Sequence, residues 1–356
     1  MADFICSADR LKEFSAKVLC AHGLPLCDAE TVAGGLVHAN LRGVDSHGVA
    51  RIPIYAERLR CGLVNSAPDI RVIKDSGAAL VVDGDNGMGA VVTMHALELG
   101  LQRLERHGSV SIAIRNSNHY SAGSYYAARA VEQNVAMWLY SNAPPTMAPW
   151  GGAKRYLGTN PYTFAVPAGK YDPIILDMAT SVVARGKIIL AAERGQRIPA
   201  GWAVTLDGEP TTDAKAALAG SVLPFGGPKG YGIALMIEIV SGILSGAGFG
   251  PRIGDLYEDF SKPQNVGAFM QLSSIDAFMT IEEFNQRMEM LVGEIKACQP
   301  ASGVDEILMP GELEARIARK RQREGIPLAQ HTYEALQRLG ESCGVPLADV
   351  AQPAQA

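Results

Sequence analysis

The first seventy residues carry apolar side chains at intervals of three and four, the spacing of amphipathic helices. Ser7 is predicted to cap the first helix and Asp28 the second, because a side-chain oxygen there can accept a hydrogen bond from a first-turn amide. A third helix is predicted to begin near Ser46 and His47 and to end at Gly62. The N-terminal part of the chain is therefore expected to be helical.

Further along the chain, short apolar runs alternate with helical periods, a pattern typical of an α/β domain. Strands are predicted at 70–73, 80–83, 110–114, 135–140, 162–167, 174–178 and 268–272. Helices are predicted at 94–106, 122–133, 233–244 and 281–298, and again in the tail from residue 312. We expect the two helical ends to pack together beside a central α/β domain.

The composition is that of a globular protein with a sizeable core. Of the 356 residues, 47% are hydrophobic and 19% are charged, and the length suffices for two domains. The net charge of −5 provides no field that would attract nucleic acid or an anionic membrane. No apolar run approaches the roughly 20 residues that cross a bilayer, and the N-terminus lacks a signal-peptide pattern. We therefore expect a cytoplasmic protein that binds neither nucleic acid nor membrane.

Two groups of residues that often carry function have simpler interpretations in this chain. The six cysteines form no CxxC pair, so neither a metal site nor a redox motif is expected, and free buried thiols in a reducing compartment account for them. The basic residues between 316 and 323 lie close to acidic residues in a helical pattern, which favours a solvated helix face over a phosphate-binding arm.

The chain has no glycine pattern of a classical nucleotide-binding fold. A Rossmann domain requires GxGxxG between a strand and a helix, but the glycines at 84–89 have another spacing and those at 246–250 follow a predicted helix. The glycine-rich turn at 226–232 is not a Walker A loop, because no Ser or Thr follows its lysine. Any nucleotide must therefore bind to a different architecture.

Two segments of the α/β region could still contact a nucleotide. Lys229 lies in the glycine-rich turn at a predicted helix N-terminus, where amide groups favour a phosphate; a plain helix-entry turn is the alternative. Asp177 ends a predicted strand and could accept hydrogen bonds from a ribose hydroxyl, while Thr180 and Ser181 could cap the next helix. Capping alone is the simpler interpretation of the second segment.

Two histidines lie beside small and polar residues, the setting of a proton-transfer group. His47 belongs to the segment RGVDSHG at 42–48, and His119 to NSNHYSAG at 116–123. Arg51 follows His47 by four residues, so it could bind a substrate carboxylate with two hydrogen bonds beside the imidazole. A capped helix with a surface arginine is the alternative.

These segments together resemble the type-2 malate/L-lactate dehydrogenase family, whose members include ureidoglycolate and L-sulfolactate dehydrogenases and cyclic imino-acid reductases. The matching segments run in order along nearly the whole chain: 42–48 with Arg51, 116–123, 148–152, 157–161, 176–181 with 185–187, 226–232 and 309–312. The resemblance implies an α/β fold of the L-sulfolactate dehydrogenase-like, non-Rossmann type. It implies a helical domain from 1–72 plus 300–356, a central NAD(P)-binding domain at 73–299, and a homodimer.

The resemblance also implies a set of site residues. The acid–base histidine of the family maps to His47 in some members and to His119 in others; we favour His47, with His119 orienting nicotinamide or substrate. Arg51 and Ser46 would bind the substrate. The cofactor, NAD or NADP, would lie on Ser141, Asn142, Ile175, Leu176, Asp177, Met178, Ala179, Thr180, Ser181, Pro228, Lys229, Gly311 and Glu312.

The activity implied is hydride transfer between nicotinamide and C2 of a small 2-hydroxy or 2-keto acid of the malate, lactate or ureidoglycolate type. Alternatives are an NADPH-dependent reductase of cyclic imino acids and a catalytically silent, metabolite-binding dimer. The presence of His47, Arg51, His119 and Lys229 argues against the silent alternative. Ser121 replaces a common glycine, and Ala143 stands where many relatives carry a hydroxyl, so the substrate and the fine geometry of the nicotinamide pocket stay open. The chain has no Rossmann-type acidic ribose anchor, so the choice between NAD and NADP also stays open.

Replacing His47 by Asn is expected to lower turnover by roughly 100-fold or more, the usual contribution of a general acid–base group, while cofactor binding stays measurable. Steady-state kinetics together with a cofactor titration test this. Near-normal turnover in the His47→Asn variant would transfer the acid–base role to His119.

Overall fold

The computed structural model describes residues 4–347 and 351–353. The helices are α1 (Ala8–Ala21), α2 (Leu26–Leu41), α3 (Ile52–Arg60), α4 (Gly89–His107), α5 (Ser124–Val131), α6 (Arg185–Glu193), α7 (Ala214–Ala219), α8 (Pro228–Glu238), α9 (Ile281–Ala297), α10 (Glu312–Glu324) and α11 (Gln330–Ser342). The strands are β1 (Phe4–Cys6), β2 (Arg71–Asp75), β3 (Ala79–Asp83), β4 (Ser109–Ser117), β5 (Val135–Ser141), β6 (Tyr162–Val166), β7 (Ile174–Met178), β8 (Ala203–Val204), β9 (Pro210–Thr211), β10 (Ser221–Val222), β11 (Val266–Ser274), β12 (Ile326–Leu328) and β13 (Ala351–Pro353).

A seven-stranded sheet in the order β2-β3-β4-β11-β5-β6-β7 forms the centre of the molecule. Strands β3 and β4 pair in parallel, and the other neighbours in this sheet run antiparallel. Met270 of β11 is paired with Ile112 of β4 on one side and Leu139 of β5 on the other, and all three side chains are fully buried. Helices α4 and α5 pack against this sheet. The α/β architecture is as expected, and its largely antiparallel strands differ from the parallel sheet of a Rossmann domain.

The two ends of the chain share one hydrophobic core. Phe14, Leu36 and Ile52 from the first helices pack in the same buried cluster as Leu336 and Leu347 from the C-terminal region. A small sheet in the order β12-β1-β13 joins the ends as well, with both pairings antiparallel. This confirms the expected helical domain built from both termini. Its boundaries at residues 72 and 300 stay a prediction.

Strands β8, β9 and β10 form a third, three-stranded sheet that packs with α6 and α7 around a small cluster of its own. None of these three strands was predicted from the sequence. Its strands are two residues long, too short to show the alternation of apolar and polar positions by which a strand is recognised.

Several predicted helix boundaries are wrong. Helix α2 begins at Leu26 after Pro25, so Asp28 lies in the first turn, where its charge complements the helix dipole, instead of capping it. Ser7 occupies the N-cap position of α1, but its side chain accepts no capping hydrogen bond. Helix α3 begins only at Ile52, because the residues before it form two separate 3₁₀ turns.

In residues 4–347 and 351–353, no helix is long and apolar enough to span a membrane. The same residues contain no group of three or more His, Cys, Asp or Glu side chains that could hold a metal ion. All six cysteines are free, as expected, but Cys27, Cys61 and Cys298 are exposed rather than buried.

Candidate active site

The segment between α2 and α3, which carries His47, is held in place by the side chain of Asn40. This amide is 2% exposed; its Nδ2 donates to Asp45 Oδ1 over 2.7 Å, and its Oδ1 accepts from the Val49 N–H over 2.8 Å. A Cβ atom at position 48 would overlap the Asn40 side chain, so only glycine fits there. Asn40 thereby fixes the backbone on both sides of Ser46 and His47.

The C-terminal helix α10 holds the same segment from outside. Arg321 donates to both carboxylate oxygens of Asp45, over 2.7 and 3.0 Å, and also to the backbone carbonyl of Asn40. Bidentate arginine–carboxylate pairs fix orientation as well as distance. The position of His47 therefore depends on a residue near the other end of the chain, 276 positions beyond Asp45.

The second histidine lies in the loop between β4 and α5, as predicted. Asn118 Nδ2 donates to the backbone carbonyl of Gly87 over 2.8 Å, and the His119 N–H donates to Gln264 Oε1 over 3.1 Å. Ser121 has a positive φ of 70° and donates its hydroxyl to the His47 carbonyl over 2.7 Å. The two histidine-bearing segments are therefore joined directly, although they are far apart in sequence.

The two imidazoles face each other, with ring centroids 5.6 Å apart and planes 29° from parallel. Tyr55 Oη lies 2.6 Å from His119 Nδ1, and the Ser121 N–H points at the same nitrogen over 3.4 Å. Because a backbone amide can only donate, His119 Nδ1 is the acceptor and the proton of the neutral ring is assigned to Nε2. Ser46 Oγ lies 3.0 Å from His47 Nδ1.

Both imidazoles are neutral at physiological pH. Burial and the nearby positive charge of Arg51 lower the pKa of His47 to about 4. Burial, Arg51 and the neighbouring His47 lower the pKa of His119 well below its usual value. A neutral imidazole can accept a proton, so both rings are in the protonation state of a general base.

Arg51 carries a charge that the described residues do not neutralise. Its guanidinium forms no ion pair and no hydrogen bond in residues 4–347 and 351–353, and its Nε atom is shielded from solvent. It lies over the ring of Tyr257 at 5.1 Å from the centroid. A partly buried guanidinium without a carboxylate is costly, and a ligand carboxylate bound through two hydrogen bonds would remove that cost. The two rings and Arg51 thus form a site suited to acid–base chemistry on a small carboxylate.

The end of β7 carries the residues that the resemblance places beside the cofactor. Asp177 accepts from the Ser124 N–H over 2.8 Å and from Thr163 Oγ1 over 2.9 Å, and so caps the N-terminus of α5. Burial raises the pKa of Asp177, and these hydrogen bonds oppose that shift. Its carboxylate is already bonded to the protein. Leu176 and Met178 flank it on the same strand, and Ala179 follows.

The residues after β7 do not cap a helix, so that prediction is wrong. Helix α6 starts only at Arg185. Thr180 donates its hydroxyl to the carbonyl of Thr159, and Ser181 donates to the carbonyl of Val183, each over 2.9 Å. These bonds fold the segment after β7 back onto its neighbours, and both side chains are buried.

The glycine-rich turn leads into α8, five residues earlier than the helix start predicted at 233. Gly226 and Gly227 have φ values of 57° and 62°, which allow the chain to enter the helix through a tight turn. Pro228 occupies the first turn, and exposed Lys229 has no ion pair among the described residues. The free amides of the first turn, the helix dipole and this lysine together suit a phosphate group.

The segment at 309–312 lies against β7. The Ile175 N–H donates to the carbonyl of Pro310 over 3.0 Å, and Arg42 donates to the carbonyl of Gly311 over 3.3 Å. Gly311 has a φ of 86°, and a Cβ there would press on the Ile175 backbone. These contacts bring Ile175, Gly311 and the RGVDSHG segment together.

Glu312, the first residue of α10, is bound to its own protein. Burial would raise the pKa of Glu312, but hydrogen bonds from Lys296, the Met309 N–H and Arg316 outweigh burial and lower it to about 2. The Lys296 Nζ atom lies 2.8 Å from one of its oxygens. The carboxylate therefore stabilises the 309–312 turn.

Ser141 and Asn142 are buried and bonded within the protein. Ser141 Oγ donates to the carbonyl of Asn142 over 2.9 Å. Asn142 Nδ2 donates to the carbonyl of Gly248 over 2.8 Å, and its Oδ1 accepts from the Gly267 N–H over 2.9 Å. Both ends of the Asn142 amide are therefore used in holding β5 against the β11 region.

Sequence reasoning missed several residues that surround the histidines: Tyr55, Arg58, Asn118, Tyr257 and Gln264. Tyr55 and Arg58 lie one and two turns after Arg51, a helical spacing that could have identified them. Gln264 and Tyr257 lie in an irregular loop, and nothing in their spacing indicates that they reach this site.

Comparison with known proteins agrees with the geometry. The family model described as malate/L-lactate dehydrogenase matches residues 6–337. The L-sulfolactate dehydrogenase of Methanocaldococcus jannaschii is 39% identical over 97% of this chain and 99% of its own, and its solved structure superposes with a TM-score of 0.91. The malate dehydrogenase of Pyrococcus horikoshii is 38% identical over 95% of each chain.

A reductase also shares the fold. The structure of delta1-piperideine-2-carboxylate reductase from Pseudomonas syringae has a TM-score of 0.84 and 29% identity, covering 94% of this chain and 99% of its own. The family and the relatives named as dehydrogenases define the protein as an enzyme, an oxidoreductase acting on a CH–OH donor. Within that class, the chain belongs to the malate/L-lactate dehydrogenase family.

Replacing Asn40 by Ala is expected to lower the free energy of unfolding by about 1–3 kcal/mol, because Asp45 loses a donor and the Val49 N–H loses its acceptor in a buried place. Urea denaturation measures the change. Glu30→Ala, at an exposed position of the same helix, should stay within about 0.5 kcal/mol of the parent. Equal stabilities of the Asn40→Ala variant and the parent would mean that Asn40 does not hold the segment.

Proposed function

We propose that the protein transfers a hydride between the nicotinamide of NAD or NADP and C2 of a small 2-hydroxy or 2-keto acid of the malate, lactate or ureidoglycolate type. The observation that carries this proposal is the unneutralised guanidinium of Arg51 beside two neutral imidazoles. A 2-hydroxy acid has a carboxylate next to the carbon that is oxidised. Its two functional groups therefore match the two kinds of group in the site.

In the direction of oxidation, Arg51 binds the substrate carboxylate and His47 accepts the proton of the C2 hydroxyl. The bound cofactor supplies the hydride acceptor. The electron pair of the broken O–H bond would form the C2 carbonyl, and the hydride lost from C2 would go to the cofactor. His119, whose Nδ1 is bonded to Tyr55, would offer its Nε2–H to the substrate or to the nicotinamide. Ser46 contacts the substrate beside His47.

Substrate binding also adjusts the acid–base group. The charge of Arg51 contributes to the low pKa of both His47 and His119. A carboxylate bound to Arg51 cancels that charge, so the pKa of each imidazole rises in the complex. His47 is therefore unprotonated when the site is empty. Once the acid is bound, its higher pKa helps it to keep the proton taken from the C2 hydroxyl.

Two features of the chain support the binding of a nicotinamide dinucleotide on the surface beside the two histidines. The N-terminus of α8 with Lys229 suits a pyrophosphate, and the backbone turn at Gly311 lies against β7. We propose that the cofactor binds between these elements, on Ser141, Asn142, Ile175, Leu176, Asp177, Met178, Ala179, Thr180, Ser181, Pro228, Lys229, Gly311 and Glu312. Since several of these side chains are bonded to the protein, backbone groups would provide much of the contact.

Reduction of a cyclic imino acid is the second candidate. It is favoured by the similarity to the Pseudomonas syringae reductase structure. Such a substrate also carries a carboxylate, so Arg51 would serve both reactions.

We further propose that the central domain spans 73–299 and that 1–72 and 300–356 form the helical domain. We also propose that the protein is cytoplasmic, because six free thiols are typical of a reducing compartment.

The test is a panel of acids with purified protein, followed by nicotinamide absorbance. The oxidation assays contain malate, lactate or ureidoglycolate, and the reduction assays contain oxaloacetate, pyruvate or oxalurate. Each assay is run in parallel with NAD(H) and with NADP(H). Preference for pyrroline-2-carboxylate over the keto acids would favour the imino-acid reductase. No turnover, together with no enhancement of reduced-cofactor fluorescence, would favour a silent binding protein.

Replacing Arg51 by Gln is expected to raise KM for the preferred acid by about 10- to 100-fold, the loss of a charged hydrogen-bond pair. It should also raise the pKa of His47 in the free enzyme above about 4, because one cause of the depression is removed. Histidine NMR titration and steady-state kinetics measure the two effects. The control, Arg60→Gln on the exposed side of α3, should change neither; an unchanged KM in Arg51→Gln would contradict the role of Arg51.

We also propose a homodimer, in line with the family resemblance. The exposed side of α8 and the π-helical turn after it is apolar: Leu235, Met236, Ile239, Ile243 and Leu244 are 38–60% exposed. A helix that is apolar all round is normally buried, and a second copy would cover it. Light scattering should give a dimer for the parent and for Met290→Lys on exposed α9, and a monomer for Ile239→Lys. A monomeric parent would contradict the proposal.

A further inference from the structure

The loop between Gly254 and Gln264 is fastened to α3, the helix that begins directly after Arg51. Arg58, fully buried in α3, donates to the carbonyls of Asp255, Leu256, Asp259 and Lys262 over 3.0–3.4 Å. A single side chain thus holds four backbone positions of one loop. Because hydrogen bonds from a charged donor are among the stronger ones, the loop cannot move away from α3 without losing all four.

Two further contacts fix the position of Tyr257 within this loop. The Asp255 carboxylate accepts from the backbone N–H groups of Tyr257 and Glu258, over 2.7 and 2.8 Å, and so forms a tight local turn. The Leu256 side chain, 7% exposed, packs in the helical core. The backbone on both sides of Tyr257 is therefore held, and its ring has a defined direction.

The ring of Tyr257 lies against the group that would bind the substrate. Its centroid is 5.1 Å from the guanidinium carbon of Arg51, within the distance of a cation–π contact. The Arg51 guanidinium has no other partner among the described residues. Because no hydrogen bond or ion pair among the described residues orients the guanidinium, the ring of Tyr257 is the contact that can do so.

We propose that Tyr257 is the positioning residue of the carboxylate anchor. Its ring covers one flat face of the Arg51 guanidinium and leaves the N–H edge directed at the substrate carboxylate. This inference rests on the proposed function, since it assigns Arg51 to carboxylate binding. Tyr257 acts through Arg51 and takes no part in the transfer of hydride or proton.

The same loop couples the anchor to the second histidine. Gln264, at the end of the loop, accepts a hydrogen bond from the His119 N–H and donates to the carbonyl of Gly254 over 3.4 Å. Arg51, at the N-cap of α3, and Tyr55 and Arg58 within the helix follow one another at helical spacing and contact Tyr257, His119 and the loop respectively. Helix α3 and this loop therefore set the distance between the carboxylate site and the imidazoles.

Three variants test the proposal: Tyr257→Ala, Tyr257→Phe and the control Phe278→Ala. Phe278 is an aromatic residue, 73% exposed, at the end of the 3₁₀ turn after β11. We expect Tyr257→Ala to raise KM for the preferred acid roughly tenfold, a free energy of ~1.4 kcal/mol, within the range of cation–π contacts. The value of kcat should change less than about twofold, because the contact acts equally on bound substrate and transition state.

Tyr257→Phe keeps the ring and loses only the hydroxyl, so KM should return to within about twofold of the parent. Phe278→Ala should leave both constants unchanged. A fall in kcat with constant KM, an unchanged KM in Tyr257→Ala, or no recovery in Tyr257→Phe would each overturn the proposal, because none of them follows from an oriented guanidinium.

A binding experiment separates this proposal from the proposed function. Titration calorimetry with oxalate, a minimal analogue of a 2-keto acid, requires no cofactor and no turnover. Tyr257→Ala should bind oxalate roughly tenfold more weakly than the parent and than Tyr257→Phe. If no acid in the panel is turned over but oxalate shows this order, the dehydrogenase assignment fails and the role of Tyr257 stands. A parent that does not bind oxalate, or equal binding by Tyr257→Ala, overturns the role of Tyr257.

Discussion

The charge of Arg51, which no carboxylate in the described part of the chain neutralises, is the constraint on which the site depends. Partial burial of a guanidinium costs free energy, and proteins normally offset it with a carboxylate. Among residues 4–347 and 351–353, Arg51 instead contacts the ring of Tyr257 and forms no hydrogen bond or ion pair. The same charge lowers the pKa of both imidazoles. Arg51 therefore favours the binding of an anion and helps to keep the imidazoles of His47 and His119 unprotonated.

The fold keeps these groups together by contacts between distant parts of the chain. Asn40 and Arg321, from opposite ends of the chain, hold the segment of His47, and the Ser121 hydroxyl joins that segment to the loop of His119. The helical domain supplies His47 and Arg51, and the sheet supplies His119. The site therefore lies where the two meet, and it is complete only when both are folded.

The sequence identified the residues that carry chemistry better than the contacts that position them. His47, Arg51 and His119 were found because ionisable side chains between small polar residues are conspicuous, and the strands of the central sheet followed from their apolar runs. Asn40 and Arg321 gave no such signal, because their role arises from packing between segments that are about 280 residues apart. The same holds for Tyr257, which reaches Arg51 from an irregular loop.

The errors at helix ends have a common physical reason. Asp28, Thr180 and Ser181 have side chains suited to capping, and sequence reasoning assigned them that role. In the structure, Thr180 and Ser181 bond to nearby carbonyls instead, and Asp177 caps a helix that precedes it by more than fifty residues. A polar side chain at a strand end satisfies whichever backbone group the tertiary fold brings near it, so local pattern alone does not select its partner.

The two histidines look equivalent in sequence but differ in their surroundings. His119 Nδ1 is occupied by the Tyr55 hydroxyl and the Ser121 amide, which fixes its ring and leaves Nε2–H as a donor. Within the described ranges, the hydrogen-bond partner of His47 Nδ1 is the hydroxyl of Ser46, and Ser46 is exposed to solvent. A hydroxyl can both donate and accept, so it can pass a proton between the ring and water. That difference supports His47 as the group that exchanges the proton and His119 as the group that orients its partner.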